Sequence, residues 1–267
     1  METYRYIPGT VPIIISMPHT GTHVPADILA RFTPEAKQLP DTDWHISRLY
    51  DFAGLLGCHM LIPACSRYVI DLNRPENDAS LYPGKFTTGL CPATLFDGSP
   101  LYREGYTPDA AEIAARKEQY WRPYHTKLAA LVDDLKAQHG KVVVFDAHSI
   151  RSEVSTLFEG VLPDLNIGTA DGASADIALS NAVVSVCNDS PYSYVYNGRF
   201  KGGYITRHYG RPEAGIHAIQ LELAQKNYMD EKFPFSYDEA KAVGLQATLA
   251  NVLYAIGAGM TGINSPQ

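Results

Sequence analysis

Strand-like runs alternating with helical stretches predict an α/β fold: a single three-layer α/β/α domain, residues 1–267, around a mixed, mostly parallel sheet. Three observations carry the expectation. Runs such as "VPIIISM" at 11–17 and "VVVF" at 142–145 have the continuous apolar, β-branched character of strands buried on both faces. Between such runs lie segments whose apolar residues recur at helical spacing. A chain of 267 residues, 45% hydrophobic and 19% charged, is long enough for one sizeable core, and no low-complexity tract, internal repeat or linker-like stretch divides it.

The elements follow in order. The strand at 11–17 ends in the turn-prone "PHTG". Asp41 or Asp43 can start a helix, because Ile46, Leu49, Tyr50, Ala53 and Leu56 follow at helical spacing and Gly57 closes the pattern. Strands are expected at 58–63 and 68–72, the second running into Asn73-Arg74-Pro75. Residues 75–108, rich in Gly and Pro and without periodicity, predict a long loop that covers a site. A helical pattern at 108–139 (Ile113, Tyr120, Tyr124, Leu128, Leu131, Leu135) has a break or kink at Pro123 and ends at Gly140, delivering the chain to the strand at 142–145. A helix at 173–186, a strand at 216–223 and a closing helix at 237–256 complete the reading.

Charge and cysteine content exclude several classes. A net charge of −7 argues against non-specific nucleic-acid binding. Cys58, Cys65, Cys91 and Cys187 show no C-x-x-C pair, consistent with free thiols in a reducing compartment. The N-terminal "METYRYIPGT" lacks the apolar core of a signal peptide, and no apolar run reaches the length expected of a membrane span, so the cytoplasm is the expected location, with no membrane partner. The phosphate-binding pattern G-x-x-x-x-G-K-[ST] is absent, and there is no G-x-S-x-G elbow.

Chemistry gathers where strands end. In open α/β sheets ligands collect at the carboxyl ends of the strands, and "SMPHTG", "DTDWHI" and "FDAHS" place polar residues at such ends or at a helix start. His19, Asp43 and His148 form a donor set that suits a catalytic zinc ion, with Asp146 or Ser149 orienting the site. Glu222 interrupts an otherwise apolar strand pattern, a costly placement for a carboxylate without a partner or a task; proton transfer in metal-assisted hydrolysis is one such task. Arg67, Arg74, Arg207 and Arg211 supply guanidinium forks of the kind that bind carboxylates, which points to a small acidic substrate.

Five ordered motifs, "SMPHTG", "DTDWHISRLYDFA", "SRYVIDLNRP", "FDAHSIRSE" and "HYGRPEAGIHAIQLELAQKNYM", resemble those of the N-formylglutamate amidohydrolases, from about residue 11 to about residue 229. That family is similar in fold to zinc carboxypeptidases and aspartoacylase-like deacylases. The resemblance implies that His19 and His148 ligate Zn2+, that Asn73-Arg74 binds a substrate carboxylate, and that Glu222 shuttles the proton. Where those deacylases carry a glutamate three residues after the first histidine, this chain has Thr22, so the carboxylate ligand is expected to be Asp43, with Asp41 the alternative. The implied reaction is hydrolysis of N-formyl-L-glutamate to formate and L-glutamate, a step of histidine degradation. In it Arg74 takes one carboxylate and Arg67, Arg207 or Arg211 the other. A related N-acyl amino acid deacylase, a carboxypeptidase-like hydrolase and a metal-free small-acid binding protein are the competing readings.

Overall fold

The computed structural model describes residues 2–80 and 87–261; residues 81–86 of the expected loop lie outside the described residues. Seven strands form one sheet: β1 (Tyr4–Ile7), β2 (Ile13–Ser16), β3 (His59–Pro63), β4 (Val142–Ile150), β5 (Leu165–Gly168), β6 (Tyr194–Tyr196) and β7 (Ile216–Ala224). Their order is β1-β3-β2-β4-β7-β5-β6. Strands β3, β2, β4 and β7 run parallel, β1 and β5 pair antiparallel with β3 and β7, and β6 runs parallel to β5. The sheet is therefore mixed and mostly parallel, as expected.

The helices are α1 (Ala26–Leu29), α2 (Ile46–Leu49), α3 (Ala110–Arg116), α4 (Arg122–His139), α5 (Ile177–Asn188), α6 (Tyr204–Tyr209) and α7 (Glu239–Thr261). Strand alternation divides the core into two. Ile15, Val143, Phe145, Ile219 and Leu221 join the buried faces of α5 and α7 (Leu179, Val183, Leu245, Leu249, Val252). Ile14, Val142, Val144 and Ala218 meet Tyr124, Leu128, Leu131 and Leu135 of α4 on the opposite face. Helix α7 is long and apolar enough to cross a membrane by length and composition, contrary to the sequence reading. Here one side of it packs into the core, with Leu245, Leu249 and Val252 almost fully buried.

Two further expectations are corrected. Residues 68–72 do not form a strand, although Tyr68, Val69, Ile70 and Leu72 are buried. Their carbonyls meet side chains instead of a ladder: Arg116 donates to the Val69 oxygen, and the Leu72 oxygen lies 2.9 Å from His125 Nε2. The helix expected from Asp41 or Asp43 to Leu56 is a single turn, α2, followed by a 3-10 turn at Asp51–Gly54. Neither aspartate caps it, because both side chains are engaged elsewhere, and His45 at its start has a φ of 61°. The stretch at 108–139 does break near Pro123: a π-helical turn, Lys117–Trp121, separates α3 from α4, and the proline follows two residues beyond it.

Candidate active site

Strand β4 continues through Asp146 and His148 to Ile150 beside β7, rather than ending at Phe145. Parallel register sets Asp146 beside Gln220 and His148 beside Glu222. All four share the face that carries Val142, Val144, Ile216 and Ala218 lower in the strands, so the α4 side of the core turns polar toward the carboxyl ends of the sheet. His19 lies just beyond the end of neighbouring β2, and the Asp43 backbone N–H donates to the His19 carbonyl at 3.1 Å, bringing both side chains to the same rim.

His19, Asp43 and His148 are 5%, 2% and 2% exposed, and one potential ligand atom from each lies within 4.8 Å of the others. Asp43 Oδ2 stands 3.0 Å from His148 Nδ1 and 3.8 Å from His19 Nδ1. The far nitrogen of each ring rests on a carboxylate. His19 Nε2 is 2.7 Å from Asp71 Oδ1, and His148 Nε2 is 3.1 Å from Asp146 Oδ2. Such carboxylate–histidine pairs fix the ring and leave the near nitrogen for a cation. Two imidazoles and one carboxylate are a donor set that fits divalent zinc. The site also attracts positive charge: a buried Arg67 N–H points at His19 Nδ1 from 3.1 Å, and the same nitrogen is 3.9 Å from Asp43 Oδ1.

Electrostatics separates the two imidazoles. Burial, then the Arg67 charge, pushes His19 down. Burial also acts to lower His148, but Asp146 and Asp43 outweigh it and hold that ring well above the ordinary histidine value. For Asp71, burial opposes ionisation, yet His19 and Arg67 keep its carboxyl well below the usual range. Glu222, 7% exposed, is pushed up to about 8, mainly by burial.

A cavity of about 110 Å³ opens on this cluster, and its walls include His19, His148, Glu222, Arg67 and Arg74. Arg67 is pinned, donating to Asp71 Oδ2 at 2.7 Å. Asn73 is engaged at both ends of its amide: Nδ2 lies 2.9 Å from His148 Nε2 and donates to Asp146 Oδ2 at 3.3 Å, while Oδ1 accepts from the Ile205 N–H. Arg207 and Arg211 are exposed and stand outside the cavity walls. Arg207 turns back to donate to the Gly202 carbonyl. Asp41 faces away from the cluster, accepting from Tyr68, the Phe96 N–H and Arg151.

Sequence reasoning missed Asp71 and Arg199. A signal for Asp71 was present, since a carboxylate four residues after Arg67 within an apolar stretch marks a buried ion pair. Nothing near Arg199 singled it out, although it lines the cavity. From the expected loop, Thr87, Thr88 and Phe96 do line the cavity.

Over residues 11–229 the chain matches the profile of the N-formylglutamate amidohydrolases. The chain belongs to this family. Two N-formylglutamate deformylases are similar over most of this amidohydrolase-family chain. That of Pseudomonas putida is 51% identical over 249 residues, 93% of each protein, and that of Pseudomonas aeruginosa 51% identical over 256 residues, 96% of each. The solved N-formylglutamate amidohydrolase of Ralstonia eutropha JMP134 shares the fold with a TM-score of 0.81 at 24% identity, covering 96% of this chain and 97% of that one. A solved Agrobacterium tumefaciens gene product has a TM-score of 0.72 at 16% identity, covering 97% and 96%.

Proposed function

We propose that this amidohydrolase-family chain hydrolyses N-formyl-L-glutamate to formate and L-glutamate, with a divalent metal bound by His19, Asp43 and His148. The observation that carries the reading is the meeting of two members of that buried donor set, His19 and His148, with Glu222 in one arginine-lined cavity. The names of the two 51% identical relatives support the substrate. A bound zinc ion would polarise the formyl carbonyl and lower the pKa of water from about 15.7 towards about 7.

The chain's own residues do the rest. Glu222 takes the proton from the attacking water and returns it to the amine nitrogen as the C–N bond breaks. Register beside His148 on the adjoining strand holds it at the reacting end of the cavity. Asp71 and Asp146 orient the two imidazoles, and Asn73, on the cavity wall, braces His148 and the start of α6. The half-buried Arg74 receives a substrate carboxylate. Changing Arg74 to Ala raises KM steeply and leaves metal content unchanged.

The test is formate release from N-formyl-L-glutamate by the purified protein, before and after chelation and after zinc restoration. Release that vanishes with chelator and returns with zinc is the expected result. Release untouched by complete metal removal overturns the metal reading, and no release by the metal-loaded protein overturns the substrate.

A further inference from the structure

Strand β7 sets two polar residues, Gln220 and Glu222, on one face, and proton transfer uses only the second. Gln220 is 4% exposed and lines the same cavity. Register places it one rung deeper in the sheet: Glu222 lies beside His148, and Gln220 beside Asp146. Two residues of strand rise make that step about 6.6 Å, and side chains standing perpendicular to the sheet carry the offset to their tips. Asp146 is fully buried, engaged with His148 and Asn73, and is not part of the cavity wall.

On its other side Gln220 pairs with Gly168 of β5. A Cβ at Gly168 would lie 2.6 Å from the Lys201 carbonyl carbon and 2.7 Å from the Gly202 nitrogen, so only glycine lets residues 200–202 pass this close to the sheet. Their approach delivers the next N–H, that of Gly203, to Gln220 Oε1, which accepts it at 2.8 Å. Because only the oxygen end of an amide accepts, this bond fixes the orientation of the group. It leaves Nε2, with two N–H donors, no hydrogen-bond partner among the described residues, and Nε2 is not one of the partnerless polar atoms sealed in the interior. In a residue of the cavity wall, those donors open onto the cavity. Holding them in so buried a place is unfavourable until an acceptor arrives.

The substrate offers carboxylates at two reaches. In an N-acyl glutamate the α-carboxylate is one carbon from the amide nitrogen, and the side-chain carboxylate is three carbons away. With the scissile amide at the rung of His148 and Glu222, the longer arm is the one that spans to the rung of Gln220. Arginines in the cavity wall favour an anion there.

We infer that Gln220 Nε2 donates to the side-chain carboxylate of the substrate, leaving the α-carboxylate to Arg74, and that Gln220 sets specificity for the acidic side chain. This rests on the hydrolase reading above and deepens it.

The experiment compares wild type, Q220M and Q220E on N-formyl-L-glutamate and on N-formyl-L-alanine, which lacks the side-chain carboxylate. Q220M removes the amide; Q220E keeps an oxygen for the Gly203 N–H and exchanges only the Nε2 end. Calorimetric binding of L-glutamate and L-alanine is measured in parallel. The KM for N-formyl-L-glutamate should rise at least about tenfold, the loss of a hydrogen bond to a charged group, with kcat and metal content within about threefold of wild type. For N-formyl-L-alanine kcat/KM should stay within about threefold. Loss of selectivity in either variant, confined to N-formyl-L-glutamate, supports the assignment. Selectivity retained in both variants, equal losses on the two substrates, or a wild type that binds L-glutamate no tighter than L-alanine overturns it. Should L-glutamate affinity alone fall in the variants while no form of the protein releases formate, the assignment stands and the deformylase reading fails.

Discussion

Asp71 offers the sharpest test of how the site is held, because no direct contact with a metal or substrate is assigned to it. Its Oδ1 meets His19 Nε2 at 2.7 Å and accepts the Asn73 N–H at 2.8 Å, while Oδ2 accepts from Arg67 at 2.7 Å. Asp71→Asn keeps the shape but removes the charge, and its amide nitrogen cannot accept from Arg67 or His19. Losing a carboxylate behind a ligating histidine costs about 10- to 100-fold in metal affinity, or about 1.4–2.7 kcal/mol. The buried Arg67 also loses its closest partner, which costs about 3–5 kcal/mol of stability, moderated by Asp43 at 3.9 Å. Zinc affinity is read by competition with a chromogenic chelator, and stability by thermal unfolding of the metal-free protein. Glu112→Gln, which breaks the distant ion pairs to Arg31 and Arg116, should lower the melting temperature without changing zinc affinity. A dissociation constant for Asp71→Asn within about threefold of wild type would refute the role of Asp71 in orienting His19.

Three more outcomes are expected. Glu222→Gln should lower kcat by about 100- to 10,000-fold while metal content stays unchanged, and near-normal turnover would remove Glu222 as the base. Gly203→Ala places a Cβ 2.4 Å from Asn73 Nδ2, and Asn73 cannot retreat without releasing Asp146 or the Ile205 N–H. Turnover should therefore fall at least about tenfold; a normal rate would mean that Asn73 is not needed to brace His148. Burial takes His125 down to about 3, so between its unfolded value of 6.5 and that point the unfolded chain binds a proton that the folded chain does not. Stability then falls as pH drops through this window, by up to about 1.4 kcal/mol per pH unit from this group. Urea unfolding at pH 7, 6 and 5 should give a shallower dependence for His125→Gln, and an identical slope would contradict the assignment.

The interior of the fold was legible because parallel strands buried on both faces read as continuous apolar runs, which is why β2, β4 and β7 were found. Edge elements were not, and neither was β5, four residues long and antiparallel to β7. β1 and β6 are partly exposed and only four and three residues long, and Tyr68–Leu72 has a strand's composition without a strand's partner. Burial there comes from packing against α4 and its neighbours, which no local pattern records.

The sequence by itself determined the polar residues that chemistry needs and the strand ends that carry them: His19 after β2, Asp146 and His148 on β4, Glu222 on β7. The type of residue and the strand period are local properties, and both are written in the chain. Only the tertiary structure decided which groups meet. Asp43 rather than Asp41 closes the donor set, since Tyr68 and the Phe96 N–H hold Asp41 elsewhere. Asp71 and Asp146 take the far nitrogens of the two histidines, and Arg199 rather than Arg207 or Arg211 faces the cavity. These choices depend on contacts between residues far apart in the chain, such as Arg151 with Asp41, 110 positions away. Sequence periodicity extends over one element at a time, so pairings between elements emerge only when the sheet is assembled.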